Sequence, residues 1–405
     1  MSRLYGNIRI TDYSYDLPGE RIAKYPLPER DRSRLLIWDG DRITDTHFSE
    51  LPSYIEQNNL LVFNNTKVIR ARLVFRKESG ARIEVFCLEP YQPFDFEQNL
   101  SSSGYVEWKC LIGNLKRWKT GPLRASFRHH GSQVILIAEK AGADDDSFIV
   151  RFSWDDNELT FADLLASMGH MPIPPYLNRD DEESDVTDYQ TLYASVNGSV
   201  AAPTAGLHFT PAVFNALDAK GVHKTEITLH VSAGTFRPVK SELICDHMMH
   251  TEHFYITSGV LKTLLGKKIT AVGTTSVRAL ESLYWLGIKA AGGLLTDEAI
   301  PSVYQWDPYE YEPGNDTDTS LRYLLRFMED RGLDRIEART DIIIVPGYRF
   351  RLVNSMVTNF HQPRSTLLLL VAAFTGDAWK EIYDHALGSG YRFLSYGDSM
   401  LLKPA

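Results

Sequence analysis

Residues able to do chemistry gather in short polar segments of the C-terminal half, chiefly around His208, His230, His250 and His361. Val200-Ala-Ala-Pro-Thr-Ala-Gly-Leu-His-Phe-Thr210 sets small residues, which let a backbone approach a ligand, before a helix start whose free N–H groups favour anions. Thr204, Gly206 and His208 are its candidate contacts. A tight turn before an ordinary capped helix explains the same text. In Leu229-His-Val-Ser-Ala-Gly-Thr-Phe236 a β-rich run ends in small polar residues, and ligands of open α/β sheets gather at such carboxyl ends. His230, Gly234, Thr235 and Phe236 are therefore candidates, with a core histidine as the plain alternative.

His247-Met-Met-His-Thr-Glu-His253 has imidazoles and a carboxylate close together. The spacing is not H-E-x-x-H, and Glu252 to Ile256 reads as a strand, which would splay these groups across two faces. No metal is expected; acid/base work or substrate hydrogen bonding suits His250 and Glu252, and a structural turn is the alternative. Gly273-Thr-Thr-Ser-Val-Arg278 is a strand-to-helix turn with neither the Walker A lysine nor G-x-G-x-x-G. Thr274 and Thr275 suit an anion or carboxylate, with Arg278 as a bidentate clamp, although helix capping alone would also use them. Thr358-Asn-Phe-His-Gln-Pro-Arg-Ser-Thr366 precedes the most apolar helix text, a rigid support for Asn359, His361 and Ser365. Tyr391-Arg-Phe-Leu-Ser-Tyr-Gly-Asp398 offers Asp398, or else a closing core strand.

The elements that must position these segments alternate between helix and strand. Thr210-Pro211 predicts a helix through Ala219 that Gly221 ends, followed by a strand from Thr225 to Val231. A strand from Lys268 to Val272, a helix through Leu286, a strand from Asp341 to Val345 and a helix from Ser365 to Phe374 continue the rhythm. Such alternation predicts a mainly parallel sheet covered by helices. Before it, Leu35-Leu-Ile-Trp38 and Leu60-Leu-Val-Phe63 read as strands, and Val68 to Trp154 reads as several short strands with almost no helical period. The expected fold class is α/β: a large α/β catalytic domain over 1–66 and 155–405, with an inserted small β-barrel domain over 67–154. Asn178 to Asp188 reads as a solvated acidic loop, and 302–335 as a surface insertion with an amphipathic helix near Leu321 to Phe327.

Bulk properties narrow the function classes. A chain of 405 residues exceeds one ordinary core, and 43% hydrophobic with 23% charged residues is a globular composition. The net charge of −9 argues against indiscriminate nucleic-acid binding while leaving room for a local basic face. Cys87, Cys110 and Cys245 form no C-x-x-C pair and read as free thiols. The longest apolar run, Leu367 to Phe374, is about half of a membrane span, and Met1 to Leu17 lacks the apolar core of a signal peptide. A cytoplasmic protein, without membrane association and monomeric, is expected.

Taken in order, Asp16-Leu-Pro18, Arg30-Asp-Arg-Ser-Arg-Leu-Leu36, Val62-Phe-Asn-Asn-Thr66, Pro172-Ile-Pro-Pro-Tyr176, Tyr189-Gln-Thr191, Ala201 to Thr210, Thr228 to Phe236, His247-Met-Met-His250, Val272-Gly-Thr-Thr275, Thr358-Asn-Phe-His361 and Tyr391 to Asp398 form a specific pattern. From about Asp12 to Leu402 the chain resembles the S-adenosylmethionine:tRNA ribosyltransferase-isomerases of queuosine biosynthesis. The resemblance implies an enzyme that takes the ribosyl part of S-adenosylmethionine, its co-substrate, and places it on 7-aminomethyl-7-deazaguanine at the tRNA wobble position. Epoxyqueuosine-tRNA, adenine and methionine would be the products, with no other cofactor.

Under that resemblance, proton removal beside the sulfonium and protonation of departing adenine need acid/base groups, drawn from His208, His230, His250, Glu252 and His361. The methionine carboxylate suits the Gly273 to Ser276 turn or Arg278. The tRNA anticodon loop would meet basic residues beside an aromatic, namely Arg70 and Arg72, and Lys116, Arg117 and Trp118. The chain departs from the family at Ser232, where glycine is usual, at Asn354 for aspartate, at Gln362 for leucine, and along Leu111 to Trp118. A same-fold paralogue with another acceptor, a non-catalytic RNA-binding relative and, more distantly, a zinc hydrolase are the alternatives.

Overall fold

The computed structural model describes all residues except 1–4, 6, 145–146, 233–238, 297–299, 312–313, 315 and 404–405. Its centre is a ten-stranded sheet in the order Ser302–Val303, Arg335–Thr340, Glu252–Thr257, His223–His230, Leu60–Asn64, Ile269–Val272, Val353–Asn359, Ser399–Leu402, Arg34–Trp38, Ile43–His47. The four middle strands from His223–His230 to Val353–Asn359 run parallel. Leu60–Asn64 and Ile269–Val272 are buried at every position, as continuous apolar runs in a sheet covered on both faces should be. Outside that heart, Glu252–Thr257 and Ser399–Leu402 pair antiparallel with it, so the sheet is mixed where mainly parallel pairing was expected.

The long helix Thr274–Ala291 covers one face and is buried along most of its length. Against it lies helix Thr317–Glu329, whose Leu321, Leu324, Leu325 and Met328 form an i, i+3, i+4, i+7 stripe in the main core. This half of 302–335 is therefore core, not the surface insertion expected. The two helices touch at Gly287, where a Cβ would lie 2.2 Å from the Ser320 carbonyl oxygen. Glu281, fully buried on the long helix, accepts from the Tyr348 hydroxyl at 2.7 Å and from the backbone N–H groups of Arg351, Leu352 and Val353 at 2.8–3.0 Å. One carboxylate thus fixes where the strand Val353–Asn359 begins.

A second, six-stranded antiparallel sheet runs Arg72–Arg76, Arg82–Gln92, Tyr105–Gly113, Ser147–Trp154, Ser132–Asp144, Leu123–His129. Its two outermost strands lie against each other, giving a barrel-like wrap around Leu73, Trp108, Leu136 and Phe152. Cys87 and Cys110 face each other as buried free thiols in its register. The same apolar core takes in Leu159, Phe161, Leu164 and Leu165 from helix Phe161–Met168, whose start carries a Thr160/Asp163 capping box. The chain enters and leaves through the parallel pair Thr66–Val68 and Val196–Ser199.

Three other expectations are corrected. Asp341 to Val345 is not a strand, although Ile342 to Val345 are buried; the sheet uses Arg335–Thr340 before it, where charged residues alternate with Ile336 and Ala338. Tyr391 to Asp398 is an irregular segment leading into the strand Ser399–Leu402. Asn178 to Asp188 is not simply solvated: Asp185 is buried, begins a short helix and accepts two 2.7 Å bonds from Arg179. No described helix is long and apolar enough to cross a membrane.

Candidate active site

The carboxyl ends of the parallel strands converge on a pocket of about 80 Å³ lined by Thr204, Thr274, Thr275, Asn359, His361 and Ser365, among others. Three sequence-distant segments predicted to carry chemistry therefore meet, as the crevice at strand ends requires. Gly273 makes the turn into the long helix with φ 91°, a conformation that glycine adopts without Cβ strain, and no side chain caps that helix start. Its first N–H groups are thus available beside the pocket. Ser365 is less free: its hydroxyl caps helix Thr366–Thr375 through Leu368 N–H at 3.2 Å and donates to the Gln362 carbonyl at 2.7 Å.

Asn359 is the hub. Its side-chain oxygen accepts from Thr204 Oγ1 at 2.8 Å, and its Nδ2 donates to the Asp398 carbonyl at 3.3 Å and sits 3.1 Å from His208 Nε2. An amide N–H facing Nε2 makes that nitrogen the acceptor, so Nδ1 carries the proton and donates to Ser33 Oγ at 2.8 Å. Burial pushes His208 down to about 4, which leaves it neutral and behind Asn359. The void beside it is only about 10 Å³, too small for a substrate. His208 is a positioning residue.

His361 does face the pocket. Thr358 Oγ1 lies 2.8 Å from its Nε2, the Tyr383 hydroxyl accepts its backbone N–H at 3.0 Å, and the Tyr15 hydroxyl donates to its carbonyl. Burial depresses its imidazole to about 3.

Other predicted residues lie elsewhere. A Cβ on Gly206 would be 1.9 Å from the Tyr193 hydroxyl oxygen, so packing, not ligand approach, demands that glycine. The Asp398 carboxylate is occupied by the N–H groups of Arg34 and Arg392 and by the Arg392 guanidinium, and it braces the final strand. Arg278 pairs with buried Glu252 and donates from Nε to the Ile342 carbonyl at 3.1 Å, which removes it as a carboxylate clamp in the pocket. Burial works against the Glu252 charge, but Arg278 and His250, the latter at 3.6 Å, hold its carboxyl below the ordinary range. His253 instead faces Glu337 at 3.5 Å, so the histidine cluster divides between partners, and no group of three metal-binding side chains occurs among the described residues. Gly234, Thr235 and Phe236 lie outside the described residues.

His230 lines a separate cleft of about 1100 Å³ between the outer sheet strands and helix Phe96–Ser101. Its ring stacks on Phe96 at 4.0 Å and meets Tyr255 edge-on at 5.5 Å. Burial lowers it to about 3. Gly198 permits this sandwich, since a Cβ there would come within 2.8 Å of both rings.

Of the predicted RNA contacts, Lys116 and Arg117 are exposed, while Arg70 pairs with Glu183 at 3.3 Å and Arg72 with Glu84 at 3.6 Å. Trp118 is 1% exposed and donates to the Gly121 carbonyl, so it is barrel core and no stacking platform. Sequence reasoning missed Ser33, Tyr15 and Phe96, which contact the candidate histidines from elements far from their motifs, and Tyr255, two residues beyond His253. Ser33, inside the Arg30 to Leu36 segment, and Tyr255, in the strand that follows the histidine cluster, carried a signal.

Fold and site together define an α/β protein with a polar pocket at the carboxyl ends of its parallel strands and a barrel-like antiparallel sheet bordering a second cleft. The family model described as "Queuosine biosynthesis protein" matches residues 10–402, and the chain belongs to that family. It is 37% identical over 401 residues to the S-adenosylmethionine:tRNA ribosyltransferase-isomerase of Trichlorobacter lovleyi, covering 97% of this chain and 99% of the relative. It is also 37% identical over 401 residues to the protein of that name from an Azoarcus species, covering 98% and 97%. A solved structure it is similar to is the S-adenosylmethionine tRNA ribosyltransferase of Thermotoga maritima, 29% identical with a TM-score of 0.46, covering 96% of this chain and 99% of that one.

Proposed function

We propose that the protein is a transferase that moves and isomerises the ribosyl part of S-adenosylmethionine onto 7-aminomethyl-7-deazaguanine at the wobble position of tRNA, giving epoxyqueuosine-tRNA, adenine and methionine. Two relatives named S-adenosylmethionine:tRNA ribosyltransferase-isomerase match 97% and 98% of this chain. The structural observation that carries the reading is the joining of Thr204, Asn359 and His361 beside the uncapped start of helix Thr274–Ala291. An uncapped helix start suits the donor's carboxylate, and His361, the imidazole that faces this pocket, is the group to which we assign acceptance of the proton next to the sulfonium. At about 80 Å³ the pocket is below the usual ligand range of roughly 300–1000 Å³, so it takes one polar end of the donor and leaves the rest outside it.

S-adenosylmethionine is consumed as co-substrate. The division into a catalytic domain over 1–66 and 155–405 and a barrel over 67–154, a monomeric state, a cytoplasmic location and contact of Lys116 and Arg117 with the anticodon loop belong to the same reading. Incubation with S-adenosylmethionine and precursor-bearing tRNA, followed by nucleoside mass spectrometry, tests it. Epoxyqueuosine with stoichiometric adenine is expected; adenine without epoxyqueuosine would overturn the acceptor, and neither product would overturn the reading.

A further inference from the structure

Strand pairing places Arg335 opposite Thr257, Glu337 opposite Tyr255 and Arg339 opposite His253, all on one face of the outer sheet. The register continues inward, with Tyr255 beside Thr228 and His253 beside His230, so this face runs into the 1100 Å³ cleft as its floor. Its opposite face, with Ile336, Ala338, Phe254 and Ile256, is main core. Two arginines on the open face lie over aromatic rings: Arg335 at 4.8 Å from the Tyr255 centroid and Arg339 at 4.7 Å from that of Phe94, which is 40% exposed. Neither guanidinium has an ion pair or hydrogen bond among the described residues, and Arg339 Nε is buried without a partner. Of the nearby carboxylates, Glu97 is exposed at the cleft and three others have partners. Asp95 caps helix Phe96–Ser101, Glu226 accepts from Asn65 and Glu337 faces His253.

We propose that this sheet face binds a single-stranded segment of RNA, its phosphates on Arg335 and Arg339, one base on Phe94 and an unstacked base directed into the cleft toward Tyr255 and His230. Aromatic side chains on an open sheet, with cations free to meet phosphate, are what sequence-tolerant recognition of unpaired nucleotides requires. A duplex would present its bases to each other and not to the sheet. The inference rests on the reading of tRNA as acceptor and adds a surface distinct from Lys116 and Arg117.

The test is a fluorescence-anisotropy titration of labelled substrate tRNA across about 50–200 mM salt, for the full chain and for R335Q/R339Q, Phe94→Ala and K116Q/R117Q. For R335Q/R339Q, a Kd raised about tenfold and a salt slope reduced by about 1.4, at roughly 0.7 per lost single-strand phosphate contact, are expected. Phe94→Ala should raise Kd without changing the slope. Unchanged Kd and slope in R335Q/R339Q, with both altered in K116Q/R117Q, would overturn the proposal. So would equal loss of S-adenosylmethionine binding, which would mark general damage. The functional reading fails separately: a wild-type protein that binds tRNA through these arginines yet forms no epoxyqueuosine leaves this surface standing, whereas turnover with indifferent arginines removes the surface alone.

Discussion

His208 Nε2 and Asn359 Nδ2 are 3.1 Å apart, although 151 residues separate them in the chain. The amide links the segment before helix Pro211–Ala219 to the end of the strand Val353–Asn359, and through Thr204 it orders the pocket wall. Asn359→Ala leaves a buried imidazole nitrogen and a carbonyl without their donor. A loss of about 1–3 kcal/mol in urea unfolding is expected, together with a raised KM for S-adenosylmethionine. An unchanged urea midpoint would show that His208 finds another partner.

His361→Gln keeps a hydrogen-bonding group in the pocket but removes the imidazole to which we assign proton acceptance. Turnover should fall by about 10²- to 10⁴-fold while tRNA affinity stays the same. Loss of less than tenfold in single-turnover adenine release would assign the proton transfer elsewhere.

His208 and His230 are held down to about 4 and about 3, and both are 4% exposed. A histidine depressed in the folded state binds more protons when unfolded, so stability is full above pH ~6.5 and declines as pH falls toward the folded values. Each should contribute a slope approaching about 1.4 kcal/mol per pH unit between pH ~6 and ~4. Urea midpoints measured from pH 7.5 to 4.5 check the sign, and His208→Gln should flatten the curve.

Glu281→Ala strips one acceptor group from four donors at once, whereas Glu281→Gln keeps a single oxygen for them. The alanine variant should lose roughly 3–5 kcal/mol or fail to fold, since each unsatisfied buried donor costs about 1–3 kcal/mol and such costs are not additive. The glutamine variant should fall between it and wild type. Thermal melts of all three give the order.

Arg278→Met leaves Glu252 buried beside only His250. Breaking such a pair costs about 3–5 kcal/mol, while replacing both partners by apolar residues is often near neutral. Glu252→Met/Arg278→Met should therefore melt above Arg278→Met, a comparison that calorimetry of the two variants decides.

Much of this architecture was legible where local signals are strong. Thr210-Pro211 announces its helix because the hydroxyl cap and the proline at the first position act within a few residues, and the helix runs Pro211–Ala219 as expected. The buried strands Leu60–Asn64 and Ile269–Val272 show as apolar runs. The apolar text from Ile342 to Val345 misleads because burial without regular backbone leaves the same composition as a strand. Helix Thr317–Glu329 looked peripheral because its polar face dominates the text, and its buried stripe is recognised only against the long helix. In the candidate site, Thr204, Asn359 and His361 stand out in the sequence because small and polar residues at strand ends are a local feature, and they line one pocket. Which motif residues face solvent, a partner or the pocket is not legible there, because Arg278 to Glu252 and His208 to Asn359 are pairings set by tertiary packing.

The two leads of the barrel-like sheet are hydrogen-bonded neighbours, with Val196 opposite Thr66 and Asn197 opposite Lys67. No strand of the described barrel takes a place in the ten-stranded order. Topologically the barrel is an excursion between two paired leads: its loops can lengthen, shorten or change charge without any strand of the central sheet exchanging a neighbour.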